Sequence, residues 1–73
     1  MATLEVKSEV TGSVWKIAAR PGQVLAAGTT IMILESMKME IPVILEDGGT
    51  LSALHVAEGE SVTEGQIIAT LTE

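Results

Sequence analysis

Lys38 lies near the middle of the 73-residue chain, between two methionines in the stretch ILESMKMEIPV (33–43). Its primary amine could accept an acyl group. At neutral pH, however, an exposed lysine is almost wholly an ammonium ion and therefore a poor nucleophile. The sequence places no base beside Lys38 that would activate it. Any acylation would therefore need an external enzyme that supplies an activated acyl group and removes the proton.

Two interpretations of the flanking methionines remain open at this level. Met37 and Met39 are two residues apart, so in a β-strand they would share one face while Lys38 pointed the other way, as in ordinary core packing. If the segment is instead the tip of a hairpin, both methionines would be at least partly exposed. Flexible, polarizable methionine side chains suit a surface that another protein recognises.

The other side chains that could do chemistry form no catalytic or metal-binding pattern. His55 stands alone and is predicted to be a surface strand residue. Trp15, the single aromatic residue, is predicted to be partly buried at a sheet edge. Glu58, Glu60 and Glu64 are predicted to form a solvated face. The sequence therefore predicts no catalytic residue and no metal site.

Composition narrows the possible partners. The net charge is −6 with four basic residues, so the chain cannot build the cationic surface that nucleic acids require. No apolar run approaches the roughly 20 residues that span a bilayer. The first residues lack the pattern of a signal peptide, so we expect a cytoplasmic protein. There are no cysteines, and 47% of the residues are hydrophobic, which predicts an aliphatic core without disulfides.

An internal repeat predicts the fold. When the sequence is shifted by 37 residues, residues 12–34 lie over residues 49–71, and three glycines coincide in both halves. Short aliphatic runs between glycine-containing turns indicate strands, about four in each half. We therefore predict an all-β domain with an internal pseudo-twofold repeat. Its eight short antiparallel strands would form a compact sandwich or flattened barrel.

The repeat also predicts where Lys38 lies. The chain reads as a single domain, 1–73, with halves at about 1–36 and 38–73 and a hairpin around 35–40. In the second half, the place equivalent to Lys38 is taken by the chain ends, so the hairpin should lie at the opposite end of the molecule from the termini. No Gly, Pro, Asn or Asp lies between Leu34 and Ile41. Met37 and Lys38 would therefore have to form the corner, and this departure from ordinary turn chemistry marks a candidate functional site.

With the repeat, the glycine turns and the central lysine hairpin in place, the whole chain resembles the biotinyl/lipoyl attachment domain family. That resemblance implies a flattened barrel of two four-stranded antiparallel sheets with the modified lysine at a hairpin tip. Met-Lys-Met is typical of its biotin carriers, whereas lipoyl domains usually have Asp-Lys-Ala. The resemblance thus implies that Lys38 carries covalent biotin and that Met37 and Met39 are recognised by the biotin protein ligase. Three flanking positions of the hairpin are weaker members of the site: Glu35, Ser36 and Glu40.

Two residues depart from the biotin pattern. Biotin carriers commonly have alanine where this chain has Ser36. Glu35 lies three residues before the lysine, where lipoyl domains often have glutamate. The first half is no longer than the second, so there is no room for the thumb inserted in some bacterial carriers. The fit of the repeat to both ends makes a stand-alone protein plausible.

The resemblance implies a non-enzymatic biotin carboxyl carrier that takes carboxylate from a biotin carboxylase to a carboxyltransferase. One alternative keeps the fold and places lipoate on Lys38, which would make the domain a carrier for a 2-oxoacid dehydrogenase-type system. Another is an unmodified interaction module that reuses the barrel. An enzyme in its own right is the weakest hypothesis, because no nucleophile–base pair is present.

Overall fold

The computed structural model describes residues 3–72, which form eight β-strands. Each strand is short and begins or ends near a turn containing glycine or a charged residue. No helix that could cross a membrane occurs within these residues. In chain order the strands are β1 (Thr3–Lys7), β2 (Gly12–Ile17), β3 (Val24–Leu25), β4 (Thr30–Ser36), β5 (Met39–Ile44), β6 (Gly49–Leu54), β7 (Ser61–Val62) and β8 (Ile67–Thr72).

The strands form two four-stranded sheets, in the orders β1-β8-β6-β3 and β5-β4-β2-β7. All the pairs are antiparallel. Adding 37 to the bounds of β2 and β3 gives those of β6 and β7, and the same shift brings β1 and β4 onto β5 and β8. This operation turns the order of one sheet into that of the other. The all-β fold predicted from the sequence is confirmed, and each half of the chain contributes two strands to each sheet.

The core lies between the sheets and is aliphatic. Its members come in repeat-related pairs such as Ile31 with Ile68 and Leu34 with Leu71, all at most 3% exposed. Full burial of one such side chain stabilises a fold by about 1.5–3 kcal/mol. Met32 is also completely buried and belongs to the core. The remaining buried hydrophobic residues are Val14, Ala19, Leu25, Leu45, Leu51, Val56, Val62 and Ala69.

The predicted glycine turns are confirmed, and the glycines divide into two kinds. Gly22, Gly28, Gly59 and Gly65 have φ between +85° and +91°, which favours glycine. Gly12 belongs to the other kind, because a Cβ atom there would overlap the carbonyl oxygen of Glu35. At this position a side chain is excluded by the close approach of β2 to β4.

Strand pairing places the connection between β4 and β5 far from the described chain ends. β4 begins at Thr30, directly after the 26–29 turn, and that turn follows β3, which pairs with the first residues of β6. One of these β6 residues, Thr50, also pairs with Thr72, and Thr72 pairs with Thr3. Thr3 and Thr72 thus lie at the end of the molecule where β4 begins. The β4–β5 connection lies at the other end of a molecule 36 Å long.

Three side chains outside the hairpin refine the sequence predictions. Trp15 is 49% exposed, and it lies beyond the two β2 residues that pair with β7, Gly12 and Ser13, so β7 does not flank it in the sheet. Glu58 is not simply solvated, because its Oε2 atom accepts a hydrogen bond of 2.8 Å from the backbone N–H of Ile17. His55 is exposed as expected, with Nε2 at 2.7 Å from Oγ1 of Thr70.

Candidate functional site

The backbone at the tip of the β4–β5 hairpin turns within two residues. β4 ends at Ser36 and β5 begins at Met39, so Met37 and Lys38 form the whole connection. Their φ angles are +53° and +64°. Two consecutive positive φ values are what a type I′ hairpin turn requires, and this turn usually contains Asn or Gly. Each non-glycine residue in this conformation costs roughly 1–2 kcal/mol, so the tip stores backbone strain.

The side chains at the tip point into solvent. Met37 is 92% exposed and Met39 is 64% exposed, while Lys38 is also exposed. The packing interpretation of the two methionines is therefore wrong. Met37 lies in the turn rather than on a strand, so the two-residue alternation does not place it on a face with Met39. The result is an amine at the apex of a hairpin, with one large apolar side chain on each side.

Two carboxylates face each other one step behind the tip. Glu35 and Glu40 are directly opposite in the β4–β5 register, and both are exposed. Side chains in such a position have Cβ atoms about 4.5–5.5 Å apart, and like charges there repel each other. The pair places negative potential close to the Lys38 ammonium group. The register thus brings together two residues that were predicted to flank the site.

The base of the hairpin is held by contacts to the segment before β2. The Oγ atom of Ser36 donates a hydrogen bond of 2.9 Å to the carbonyl oxygen of Thr11. The next residue, Gly12, lies so close to β4 that its ideal Cβ would be 3.1 Å from Cβ of Ser36. Ser36 was predicted from the sequence to flank the site, and Gly12 to be one of the repeat glycines, whereas Thr11 was not predicted to contribute. Thr11 has no local signal, because the contact joins residues 25 positions apart.

The arrangement has the geometry of a presentation site. Two strands of a sheet hold a two-residue apex, and every side chain of the apex is accessible. A lysine in this setting can enter the active site of another protein while the domain stays outside. A preformed tip also loses less conformational freedom on docking than a mobile loop would.

Comparison with known proteins gives matches over nearly the whole chain. A family model described as "Biotin-requiring enzyme" matches residues 2–71. A biotin/lipoyl attachment protein of Bacillus subtilis is 33% identical over 69 residues, which cover 94% of each chain. The biotinylated protein TB7.3 homolog of Mycobacterium leprae is 34% identical over 68 residues, which cover 93% of this chain and 96% of that one.

A solved structure gives the same likeness in three dimensions. The urea carboxylase of Kluyveromyces lactis superposes with a TM-score of 0.91 at 29% identity. The match covers 99% of this chain and 6% of that chain. The present fold is thus similar to one small part of a much larger enzyme.

Proposed function

The chain belongs to the family of biotin/lipoyl attachment domains, and from this premise we propose that it is a biotin carboxyl carrier whose Lys38 receives biotin from a biotin protein ligase. The resemblance noted in the sequence is confirmed by the family model and by two relatives of nearly the same extent. One observation supports Lys38 as the attachment site. The apex of the β4–β5 hairpin presents a lysine between two exposed methionines.

The residues at the tip fit a covalently attached group. The amine of Lys38 projects from a backbone that is fixed by strand pairing, so attachment needs no opening of the core. Met37 and Met39 offer apolar surface that a ligase could cover on both sides of the amine. Glu35 and Glu40 lie just behind, where their charges would steer a basic ligase surface towards the tip.

The modification step is an acyl transfer to nitrogen. The Nζ atom of Lys38 forms an amide bond to the carbonyl carbon of the acyl adenylate of biotin, the bond from that carbon to the phosphate oxygen breaks, and AMP leaves. Two protons leave the nitrogen and pass to the ligase or to solvent. Because an ammonium group becomes a neutral amide, the formal net charge of the chain changes from −6 to −7.

The domain itself acts as a carrier and not as an enzyme. When bound, biotin supplies a ureido ring that carries a carboxyl group from a biotin carboxylase site to a carboxyltransferase site. The chain supplies the anchor for that group, and tethering raises its effective concentration at both sites. Support for a carboxylase partner comes from the likeness to part of a urea carboxylase.

Lipoate on Lys38 is the second candidate. It is favoured by Glu35, three residues before the lysine, and by the relative that is named a biotin/lipoyl attachment protein. The methionines favour biotin instead. The double variant Met37→Asp with Met39→Ala should lower modification by a biotin protein ligase and raise modification by a lipoate ligase. If biotin transfer is unaffected, the methionines have no role in recognition.

Intact mass with peptide mapping tests the proposal. The protein is purified from its own host, and a second sample is incubated with biotin, ATP and a biotin protein ligase. We expect a biotinyl increment on the peptide that contains Lys38. A lipoyl increment would transfer the protein to the lipoate carriers. No increment under either condition would favour an unmodified interaction module.

A further inference from the structure

Two hydrogen bonds meet at Thr11 and connect the lysine hairpin to a loop on the far side of β2. Ser36 Oγ donates to the carbonyl oxygen of Thr11 at 2.9 Å. The hydroxyl oxygen of Thr11 accepts a hydrogen bond of 3.0 Å from the backbone N–H of Glu64. Glu64 belongs to the turn between β7 and β8. We call this chain from Ser36 through Thr11 to Glu64 the hydroxyl bridge.

The hydroxyl bridge begins where backbone support from the sheet stops. In the pairing of β2 with β4, Ser13 is opposite Glu35, and this is the last pair before the tip. β5, on the other side of β4, is an edge strand of its sheet. The segment from Ser36 to Met39 is therefore not paired with β2. At this position the Ser36 hydroxyl group connects the hairpin to Thr11 by a hydrogen bond.

The bridge departs from the internal symmetry of the fold. The repeat mate of Thr11 is Gly48, and the mate of Glu64 is Ala27. A Cβ atom on Gly48 would lie 2.6 Å from the carbonyl oxygen of Leu25 and 3.2 Å from the backbone nitrogen of Ala27. At that end of the molecule a side chain is excluded. At the hairpin end the equivalent position holds Thr11, and its hydroxyl oxygen accepts a hydrogen bond from the backbone nitrogen of Glu64, the mate of Ala27. The asymmetry coincides with the end that carries Lys38.

We infer that Ser36 and Thr11 are positioning residues for the acylation of Lys38, because the hydroxyl bridge holds the hairpin in the orientation that the modifying ligase accepts. This inference rests on the proposed function. Neither hydroxyl needs to touch the ligase or the amine. If the bridge is lost, the hairpin spends less time in the accepted orientation, and the apparent affinity of the ligase falls by that fraction. Chemistry in the bound complex is unchanged.

Steady-state kinetics with a biotin protein ligase form the first test. Ser36→Ala removes the hydrogen bond between the hairpin and Thr11. Thr11→Val removes the hydrogen bond from Glu64 and keeps a branched side chain. An exposed hydrogen bond corresponds to about a three- to tenfold change in an equilibrium constant. We expect KM for the carrier to rise by that factor in each variant, with kcat unchanged. The matched controls are Ser61→Ala and Thr63→Val, which change exposed residues at the same end outside the bridge.

Amide hydrogen exchange of the unmodified domain forms the second test, and it needs no ligase. If the two bonds act as one chain, Ser36→Ala should accelerate exchange at the amide of Glu64, although Ser36 does not contact Glu64. Thr11→Val should likewise accelerate exchange at Met39. Two independent local bonds would each change exchange at their own ends alone.

In the kinetic test, bonds that act as one chain have a further consequence. The double variant should raise KM by less than the product of the single effects, because both changes break the same chain.

The outcomes separate this inference from the proposed function. If the wild-type domain is biotinylated and both variants keep KM within twofold of it, the positioning role is wrong. If kcat falls while KM is constant, the hydroxyls act in the chemical step and the inference is also wrong. If the wild-type domain is not modified at all, the proposed function fails. The exchange experiment then still decides whether the bridge couples the hairpin to the β7–β8 turn.

Discussion

The glycine turns and the lysine turn solve the same backbone problem with different residues. At four turns the chain needs positive φ, and each time it has glycine, with φ between +85° and +91°. At the hairpin tip it needs positive φ twice in succession, at +53° and +64°, and it has Met37 and Lys38. A sequence that uses glycine consistently elsewhere has therefore kept two strained side chains at this one place.

The surroundings show that this difference is not a matter of space. At the four turn glycines, an added Cβ atom would meet no described atom within 4 Å. Backbone conformation alone therefore selects glycine there. At the tip the side chains also extend into solvent, with Met37 at 92% exposure, so packing does not select them either. Neither backbone preference nor packing therefore accounts for Met37 and Lys38, which is consistent with the proposed recognition of these side chains by a ligase.

The largest effect is expected at Lys38. Lys38→Arg keeps the positive charge and the exposed position but removes the primary amine, so biotin incorporation should fall to zero while the unfolding transition stays unchanged. Intact mass after incubation with ligase, biotin and ATP measures the first, and circular dichroism measures the second. Lys16→Arg, at an exposed site on β2, is the matched control. Incorporation into Lys38→Arg at the wild-type level would place the acceptor on another lysine.

The next effect concerns the glycine at the base of the hairpin. In Gly12→Ala the new methyl group would overlap the carbonyl oxygen of Glu35, so β2 and β4 must separate. Overpacking of this kind costs about 1–3 kcal/mol, which urea denaturation would report. Gly49→Ala is the repeat-related control, where the Cβ atom would be 3.2 Å from the carbonyl oxygen of Thr72. A smaller loss is expected there. Equal losses would mean that the hairpin base has no special closeness.

A third variant isolates the backbone term. Gly65→Ala keeps φ near +87° with a Cβ atom present, and it should cost about 1–2 kcal/mol although the space is open. Asparagine tolerates this region better than alanine, so Gly65→Asn should be less destabilising although its side chain is larger. Thermal unfolding of both variants gives the comparison. If asparagine is the worse residue, local crowding and not φ selects Gly65.

The strand plan of this fold could be predicted from sequence, because the repeat carries both the glycine spacing and the aliphatic pattern. The exposed tip followed from the same symmetry, since the place equivalent to Lys38 falls at the chain ends. The interleaving of the halves could not be predicted, because strand pairing depends on contacts far apart in sequence. Ser36 with Thr11 and Glu58 with Ile17 are of the same kind, at separations of 25 and 41 residues. A hydrogen bond between a side chain and a distant backbone group produces no periodic pattern in the sequence.

The smallest expected effect is a gain in stability, whereas the glycine variants are expected to lose stability. The double variant Met37→Asn with Lys38→Gly gives the tip the residues that a type I′ turn prefers. Relief of the strained conformation at position 38 is worth roughly 1–2 kcal/mol, and the added flexibility of glycine in the unfolded chain offsets about 0.5–1 kcal/mol of it. We expect net stabilisation of about 0.5–1 kcal/mol and a melting temperature higher by a few degrees.

The matched control for this variant is Met37→Ala with Lys38→Ala, which removes the same side chains but leaves Cβ atoms at positive φ. It should be no more stable than the wild type. If both double variants are destabilised equally, the methionine and lysine side chains themselves support the fold, and the contrast with the glycine turns would not reflect function. If the Asn-Gly tip alone is more stable, the chain gives up stability at the tip to present an amine between two methionines.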